Sequence, residues 1–309
     1  MTPDEIAELR SKSYNATVAS IAFPNEDLMI VRVRPDGGVQ PHRPGQYSTL
    51  GLGQWEPRVP GCQEEVQKPG DEKKLIRRAY SISCSMLDEA GTVPDRSGQD
   101  WLEFYIVLVR HAEKAPPALT PRLFVLREGS RLFMGEKIAG HYTLDPVKPT
   151  DNVLFLSTGT GEAPHNYMLW QLLRSGHQGK ILSACCVRYQ RDLGYLAIHQ
   201  ELTRRFPNYT YLSLTTREAT SAGQKVYIQD LITSGQLEGR LGDTLDPART
   251  HVYLCGNPKM IGVPEISKIT GDAVFPQPPG VIEILTQRGF QRDQASLKLK
   301  GNIHVEEYW

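Results

Sequence analysis

The stretch Asn152-Val-Leu-Phe-Leu-Ser-Thr-Gly-Thr-Gly-Glu-Ala-Pro-His165 constrains this chain more than any other. Val153 to Leu156 is a short apolar run of branched and aromatic residues, the composition of a buried strand. Gly159 and Gly161 follow where a tight turn needs them. Pro164 suits the first turn of a helix, where its missing N–H has no partner to lose. Met168, Leu169, Leu172 and Leu173 give that helix one apolar face. A strand, a glycine loop and a helix in this order aim backbone N–H groups and a helix N-terminus at one point, the geometry that receives a phosphate. The loop departs from G-x-G-x-x-G, so alone it reads equally as a nucleotide-binding turn or a plain tight turn.

The pattern changes at this stretch. Upstream, Tyr14 to Ala22 alternates with a period near two, Leu28 to Arg34 is a second run ended by Pro35-Asp-Gly-Gly, and Pro44 to Leu50 restarts an extended segment. Residues 51–76 lose periodicity and carry seven Gly and Pro residues before a charged run, which reads as a loop insertion and a solvated surface excursion. Trp101 to Arg110 is the clearest strand. Leu119 to Gly129 reads as a short helix, with Thr120 as N-cap, Pro121 at the first helical position and Gly129 past the end. Many short strands predict an antiparallel barrel over residues 1–145.

Downstream, strands and helices alternate: Lys180 to Val187 and Tyr209 to Leu214 as strands, Leu196 to Phe206 as a helix, Lys225 to Ile232 starting another, and His251 to Cys255 as a strand broken by Gly-Asn-Pro. Crossovers of this length imply a parallel sheet, so residues 146–309 read as an α/β domain. Its ligand belongs outside the C-terminal strand ends, which carry Thr158, Gly159, Thr160, Gly161, Glu162, Arg188, Arg217 and Cys255. Arg188, Arg217 and Lys225 on one rim fit an anion richer in phosphate than one pyrophosphate, such as a 2′-phosphorylated adenosine; the bland reading is solvated cations at loop tips.

Two domains suit 309 residues, and 39% hydrophobic with 23% charged residues is ordinary for a chain with real cores. The formal net charge is zero, which gives no argument for nucleic acid or an anionic membrane. Five cysteines without a C-x-x-C predict neither a disulfide framework nor a metal centre. The acidic start and the lack of a long apolar run predict no signal peptide and no membrane span, hence a cytoplasmic setting.

Arg77-Arg-Ala-Tyr-Ser-Ile-Ser-Cys-Ser is the second informative stretch. Arg78 and Tyr80 are two apart on one face of an extended chain, and Ser81 faces the other way. A guanidinium there could clamp a diphosphate while the phenol ring packs flat on a ring system; an edge strand with a surface Arg–Tyr pair is the alternative.

Arg78-Ala79-Tyr80-Ser81, Gly159-Thr-Gly-Glu-Ala-Pro164, Cys255-Gly-Asn-Pro258 and a C-terminal aromatic together resemble the ferredoxin–NADP reductase family, over nearly the whole chain. The resemblance implies an N-terminal antiparallel flavin-binding barrel followed by a C-terminal parallel-sheet NADP-binding domain, with FAD and NADP(H) as cofactors. It implies that Arg78 holds the FAD diphosphate, Tyr80 lies on the isoalloxazine, Ser81 bonds near flavin N5, Val107, Val109 and Arg110 line the flavin with backbone groups, and Thr120 supports the diphosphate. Gly159 to Pro164 would receive the NADP diphosphate and nicotinamide side, with Cys255 beside nicotinamide C4. Thr216, Arg217, Lys225, Tyr227 and Gln229 would form the adenosine 2′-phosphate site. In the tail, Glu306 would be the carboxylate near the reacting centre, Tyr308 would cover the flavin, and Trp309 would pack on FAD adenine. Glu162 and His165 stand where the family is more often apolar, which would alter the nicotinamide pocket or its charge.

The implied function is electron exchange between NADP(H) and a one-electron carrier, ferredoxin or flavodoxin, meeting a local basic face drawn from Lys73, Lys74, Arg77, Lys298 and Lys300. The alternatives are an NADPH:flavin or quinone reductase without a protein carrier, a non-catalytic flavin- and nucleotide-binding regulator, and the reductase module of a larger electron chain.

Overall fold

The computed structural model describes residues 1–66, 69–219, 225–266, 272–293 and 300–307. They form two compact units, one of Met1–Ser85 with Pro94–His141, the other of Met86–Val93 with Tyr142–Trp309. The sequence puts one boundary at 145/146; packing puts the change at 141/142 and carries residues 86–93 with the second unit.

The first unit opens with α1 (Pro3–Ser13), which the strand-dominated reading of this half did not include. Its signal is short: Thr2-Pro3-Asp4-Glu5. The Glu5 N–H donates to Thr2 Oγ1 at 3.2 Å and the Thr2 N–H to Glu5 Oε2 at 2.7 Å, so each residue satisfies an orphan donor of the other. Strands β1 (Ala16–Asn25), β2 (Leu28–Pro35), β3 (Tyr47–Gly53), β4 (Leu75–Ser83), β5 (Leu102–Val107) and β6 (Arg131–Met134) follow. They close an antiparallel barrel in the order β1-β2-β5-β4-β3-β6. Val18, Val31, Val33, Leu50, Leu52, Phe104 and Leu132 are among the side chains that fill it. Gly51 sits inside β3, where a Cβ would come 2.8 Å from the Ile76 carbonyl oxygen. The loop expected over 51–76 is therefore shorter, from Gln54 to Lys74, because the glycines serve strand contact rather than a turn.

The short helix α2 (Thr120–Leu123) is capped differently from expectation. Leu119 is the N-cap, without a side-chain cap bond, and Thr120 is already helical. Thr120 Oγ1 instead accepts the Val109 N–H at 3.1 Å, tying α2 to the exit of β5. Tight turns replace the helix after Leu123, with the Val125 N–H on the Arg122 carbonyl, well before Gly129.

The second unit is a five-stranded parallel sheet. Strand β7 (Asn152–Thr158) leads into α3 (Glu162–Arg174), β8 (Ile181–Val187) into α4 (Leu196–Arg205), and β9 (Tyr209–Thr215) toward α5 (Ile228–Thr233) and α6 (Gln236–Leu241). Strand β10 (Thr250–Gly256) precedes α7 (Pro258–Ile261), a hairpin of β11 (Glu265–Ile266) and β12 (Ala273–Val274), α8 (Val281–Thr286) and β13 (Ile303–Glu307). The sheet order is β13-β10-β7-β8-β9. Residues 303–307 of the tail form an edge strand parallel to β10. One sheet face packs Leu154, Leu156, Leu182, Val252, Leu254 and Ile303 against α5, α6 and α8. The residues between them alternate to the other face, where Met168 and Leu169 of α3 are fully buried. Among the described residues no helix is long and apolar enough to cross a membrane.

Candidate functional site

In the barrel, β4 carries the expected cluster. Arg78 and Ala79 are exposed, Tyr80 is half-buried and Ser81 is buried, so this part of the strand passes from solvent into the core without alternating. On one side β4 pairs with β3 throughout, Tyr47 opposite Ser81 and Leu50 opposite Arg78. On the other side its ladder with β5 is two pairs long, Ile82–Phe104 and Ser83–Glu103. The Arg77–Ser81 part of β4 therefore lies beyond the β5 ladder. Arg78 Nη1 rests on the Arg77 carbonyl at 2.8 Å. Burial pushes the Tyr80 phenol above its usual pKa range, so it is a neutral aromatic donor.

The exit of β5 is braced internally. Val107 is exposed, the Leu108 N–H donates to the Asp27 carbonyl at 2.8 Å, and the Val109 N–H to Thr120. Arg110 Nε pairs with Asp27 Oδ1 at 2.9 Å, and its carbonyl accepts the Gln63 N–H at 2.8 Å. Gln63 lies in the Gln54–Lys74 loop, which corrects the reading of that loop as a solvated excursion. Its Glu65 meets Arg122 of α2 with both carboxylate oxygens, at 3.0 and 2.7 Å. Arg122 also donates to the carbonyls of Ala118 at 2.6 Å and Gln54 at 3.1 Å. Its side chain is 1% exposed. Nothing in the local pattern of the loop distinguishes Glu65 from its neighbour Glu64, so this pairing was invisible before folding.

In the second unit the glycine loop is built as the sequence predicts. After β7, Gly159 to Gly161 form one tight 3₁₀ turn, and α3 starts at Glu162 without a side-chain cap. Gly159 adopts φ +54°, and a Cβ there would meet nothing within 4 Å, so the space beside the turn is open. Gly161 is required by close approach: a Cβ would lie 2.4 Å from the Cys255 carbonyl oxygen. Thr158 Oγ1 accepts the Asn257 N–H at 2.7 Å, joining this loop to the one after β10. Asn257 Oδ1 caps α7 by accepting the Lys259 N–H at 2.8 Å. Asn257 was passed over as a site residue, although it stands in the quoted Cys-Gly-Asn-Pro motif.

Cys255, fully buried, lies opposite Ser157 on β7 and Glu306 on β13. The parallel register thus brings together Cys255 and Glu306, 51 positions apart by the difference of their numbers. Tyr308, Trp309 and Lys298 lie outside the described residues.

Along the same rim, β8 and β9 stay joined past their ends: the Thr216 N–H donates to the Val187 carbonyl at 3.1 Å and the Arg217 N–H to the Arg188 carbonyl at 2.9 Å. Thr216 Oγ1 donates to the Val187 carbonyl at 3.1 Å, so that hydroxyl proton is committed. Arg188, Arg217 and Lys225 are exposed, and their side chains have no ion pair or hydrogen bond among the described residues. The helix expected from Lys225 starts three residues later, because Tyr227 is the cap of α5, its N–H on Asp230 Oδ2 at 2.7 Å. Tyr227 is 45% exposed beside Gln229, whose Nε2 reaches the Lys259 carbonyl at 3.4 Å. Open glycine turn, uncapped helix start and three unpaired cations form a donor set suited to a multiply phosphorylated nucleotide.

Glu162 and His165 turn inward instead of toward this rim. Glu162 Oε1 accepts the Tyr211 hydroxyl at 2.7 Å and lies 3.2 Å from His199 Nε2. His199 stacks on the Tyr211 ring at 4.0 Å. His165 Nε2 meets the Tyr142 hydroxyl at 2.7 Å, and burial lowers its pKa to about 3, so the ring is neutral. Both side chains are interior.

Residues 155–264 match the family model described as the oxidoreductase NAD-binding domain. The flavodoxin/ferredoxin–NADP reductases of Shigella flexneri and Escherichia coli K12 are each 32% identical to this chain over 225 residues, spanning 72% of it and 77% of each relative. The chain belongs to the flavodoxin/ferredoxin–NADP reductase family. The reductase also shares its fold with a Neisseria gonorrhoeae ferredoxin NADP+ reductase solved with bound FAD and NADP, at TM-score 0.67 and 19% identity, covering 95% of this chain and 97% of that one. A Plasmodium falciparum ferredoxin–NADP+ reductase with 2′P-AMP aligns at TM-score 0.63 and 15% identity over 97% of both chains. Both support the antiparallel barrel plus parallel sheet that the sequence pattern of the reductase predicts.

Proposed function

We propose the following division of labour for this FAD- and NADP(H)-dependent reductase, whose carrier is a ferredoxin or flavodoxin. The observation that carries the nucleotide half is the trio Arg188, Arg217 and Lys225, without side-chain partners among the described residues, in the segments after β8 and β9, together with the open Gly159 turn after β7. Arg217 and Lys225 hold a 2′-phosphate, Tyr227 stacks on adenine, Gln229 bonds its edge, and Thr158 to Gly161 with the uncapped start of α3 take the diphosphate. Cys255 and Glu306, adjacent across β10 and β13, stand at the nicotinamide end.

The flavin half rests on β4 and the β5 exit. Arg78 would move from the Arg77 carbonyl to hold the FAD diphosphate, Tyr80 would support the ring, Ser81 and Val107 to Arg110 would border it, and Thr120 would support the phosphates. Bound FAD would supply the redox chemistry that couples a two-electron nucleotide to a one-electron carrier. The chain's residues bind, orient and exclude water. The carrier docks transiently through charge on a face that includes Lys73 and Arg77. Arg77 is set over Phe133 at 4.3 Å, while Lys74 is drawn to Asp71 at 2.7 Å and contributes less.

The test is a visible spectrum of the purified protein and anaerobic titration with NADPH and, separately, NADH. A flavin spectrum bleached far more readily by NADPH supports both sites. A colourless protein that takes up no FAD sinks the reading. Charge reversal at Lys73 and Arg77 should slow carrier reduction and flatten its salt dependence while ferricyanide reduction holds; unchanged carrier kinetics would remove the docking face.

A further inference from the structure

Away from the nucleotide rim, four ionisable side chains from four separate segments form one continuous chain. Asp293 Oδ2 is 2.8 Å from His304 Nδ1 on β13. His304 Nε2 is 3.1 Å from His251 Nδ1 on β10. His251 Nε2 is 3.5 Å from Asp151 Oδ2, just ahead of β7. His304 is 3% exposed, and Tyr253 stacks on its ring at 4.4 Å. Asp293 holds the start of β13 twice, since its Oδ1 also accepts the Gly301 N–H at 2.8 Å. Backbone bonds from Asn302 and Ile303 to the Gln291 carbonyl, at 2.8 and 2.9 Å, complete the seat.

We propose that His304 is a positioning residue, and that the Asp151–His251–His304–Asp293 array is a proton-limited clasp fixing the β10–β13 register that puts Glu306 beside Cys255. This rests on the assignment of those two residues to the nicotinamide end. The chemistry follows from lone pairs. With Nδ1–H of His304 on Asp293, its Nε2 is an acceptor and takes Nδ1–H of His251. A further proton on His251 Nε2 faces Asp151 at 3.5 Å but charges a ring whose burial opposes it. A proton on His304 Nε2 would set N–H against N–H across the 3.1 Å nitrogen–nitrogen contact, and the link would break.

The other charged or titratable groups around the array are His177, whose Nε2 meets the Asp151 carbonyl at 2.8 Å, Tyr253, Asp145 acting on Tyr253, and Lys300 acting on Asp293. Burial and then the neighbouring His304 hold His251 below the ordinary imidazole range, against the pull of Asp151 and Asp293. The folded clasp therefore binds fewer protons than the unfolded chain just below that range, and it weakens as pH falls.

The test is hydrogen–deuterium exchange of the 301–307 peptide in the FAD-loaded protein, corrected for intrinsic rates, at about pH 7.5 and about pH 5.5, with NADPH–ferricyanide kinetics beside it. Protection should fall roughly tenfold or more at the lower pH, and the kcat for NADPH should fall with it. His251→Gln keeps one donor and one acceptor between His304 and Asp151 without an ionisable ring, so it should flatten both responses. His304→Phe should lower protection at both pH values. Equal pH responses in wild type and His251→Gln, or a wild-type peptide indifferent to pH, would overturn the clasp. Flavin content and bleaching by NADPH at the higher pH report separately on the assignment beneath it.

Discussion

The two ends of the parallel sheet treat charge in opposite ways. At the C-terminal end, Arg188, Arg217 and Lys225 project without side-chain partners among the described residues. At the other end, Asp151, His251, His304 and Asp293 are linked in series. Both clusters assemble residues distant in sequence, and both sit at strand termini. A set of like charges left unpaired waits for a ligand of opposite sign. A set of groups that satisfy each other is architecture, and its chemical content is its proton count. The barrel repeats the second case in Arg122 and Glu65.

The largest expected effect breaks a paired site. Arg122→Ala leaves Glu65 with only the Arg58 guanidinium, at 3.8 Å, and orphans the Ala118 and Gln54 carbonyls, so it should cost about 2–4 kcal/mol in urea unfolding. A loss under about 1 kcal/mol would place the pair with exposed ones.

His165 should show itself in acid. Its pKa of about 3 lies below the imidazole value of the unfolded chain, so the native state binds fewer protons between the two. Stability therefore falls as pH drops below about 6.5, by up to roughly 1.4 kcal/mol per pH unit. His165→Gln keeps a partner for the Tyr142 hydroxyl without the titration, and its stability–pH slope should be shallower between about pH 6 and pH 4.

At the unpaired end the readout is binding rather than stability. Arg217→Ala and Lys225→Ala should each raise the KM for NADPH roughly ten- to hundredfold, with NADH kinetics nearly unchanged and unfolding untouched. Equal losses with both nucleotides would mean that these cations meet no 2′-phosphate.

Gly161→Ala brings a methyl to 2.4 Å from the Cys255 carbonyl oxygen. The strain should cost roughly 1–3 kcal/mol and weaken NADPH, because the same glycine turn spaces the two loops. The smallest effect belongs to a paired but solvated site: Arg34, 51% exposed with Asp100 at 2.6 Å, should be replaceable by Ala for about 0–1 kcal/mol.

Most of the strand and helix order was legible because its signals are local. Val153 to Leu156, Lys180 to Val187 and His251 to Cys255 are apolar runs of strand length, and each became a buried strand of the sheet. Where local signals compete, the reading slipped. Pro121 drew the N-cap to Thr120, while tertiary contact gave that hydroxyl to Val109. Glycines at 51 and 53 suggested a loop, while β4 and Trp55 required glycine for close approach.

By itself the sequence determined the division into a period-two half and an alternating half, the glycine turn after β7, and the cations at the strand ends, since each is written in residues adjacent in the chain. Only the tertiary structure decided which charges remain unpaired. Arg122 and Arg217 are the same side chain in sequence terms, but one folds onto Glu65 and Gln54 and the other onto nothing among the described residues. The same holds for Glu306 beside Cys255 and for His304 between His251 and Asp293. These pairings depend on strand register across long loops, which local pattern does not encode, because a register is fixed by the summed packing of whole strands rather than by any one residue.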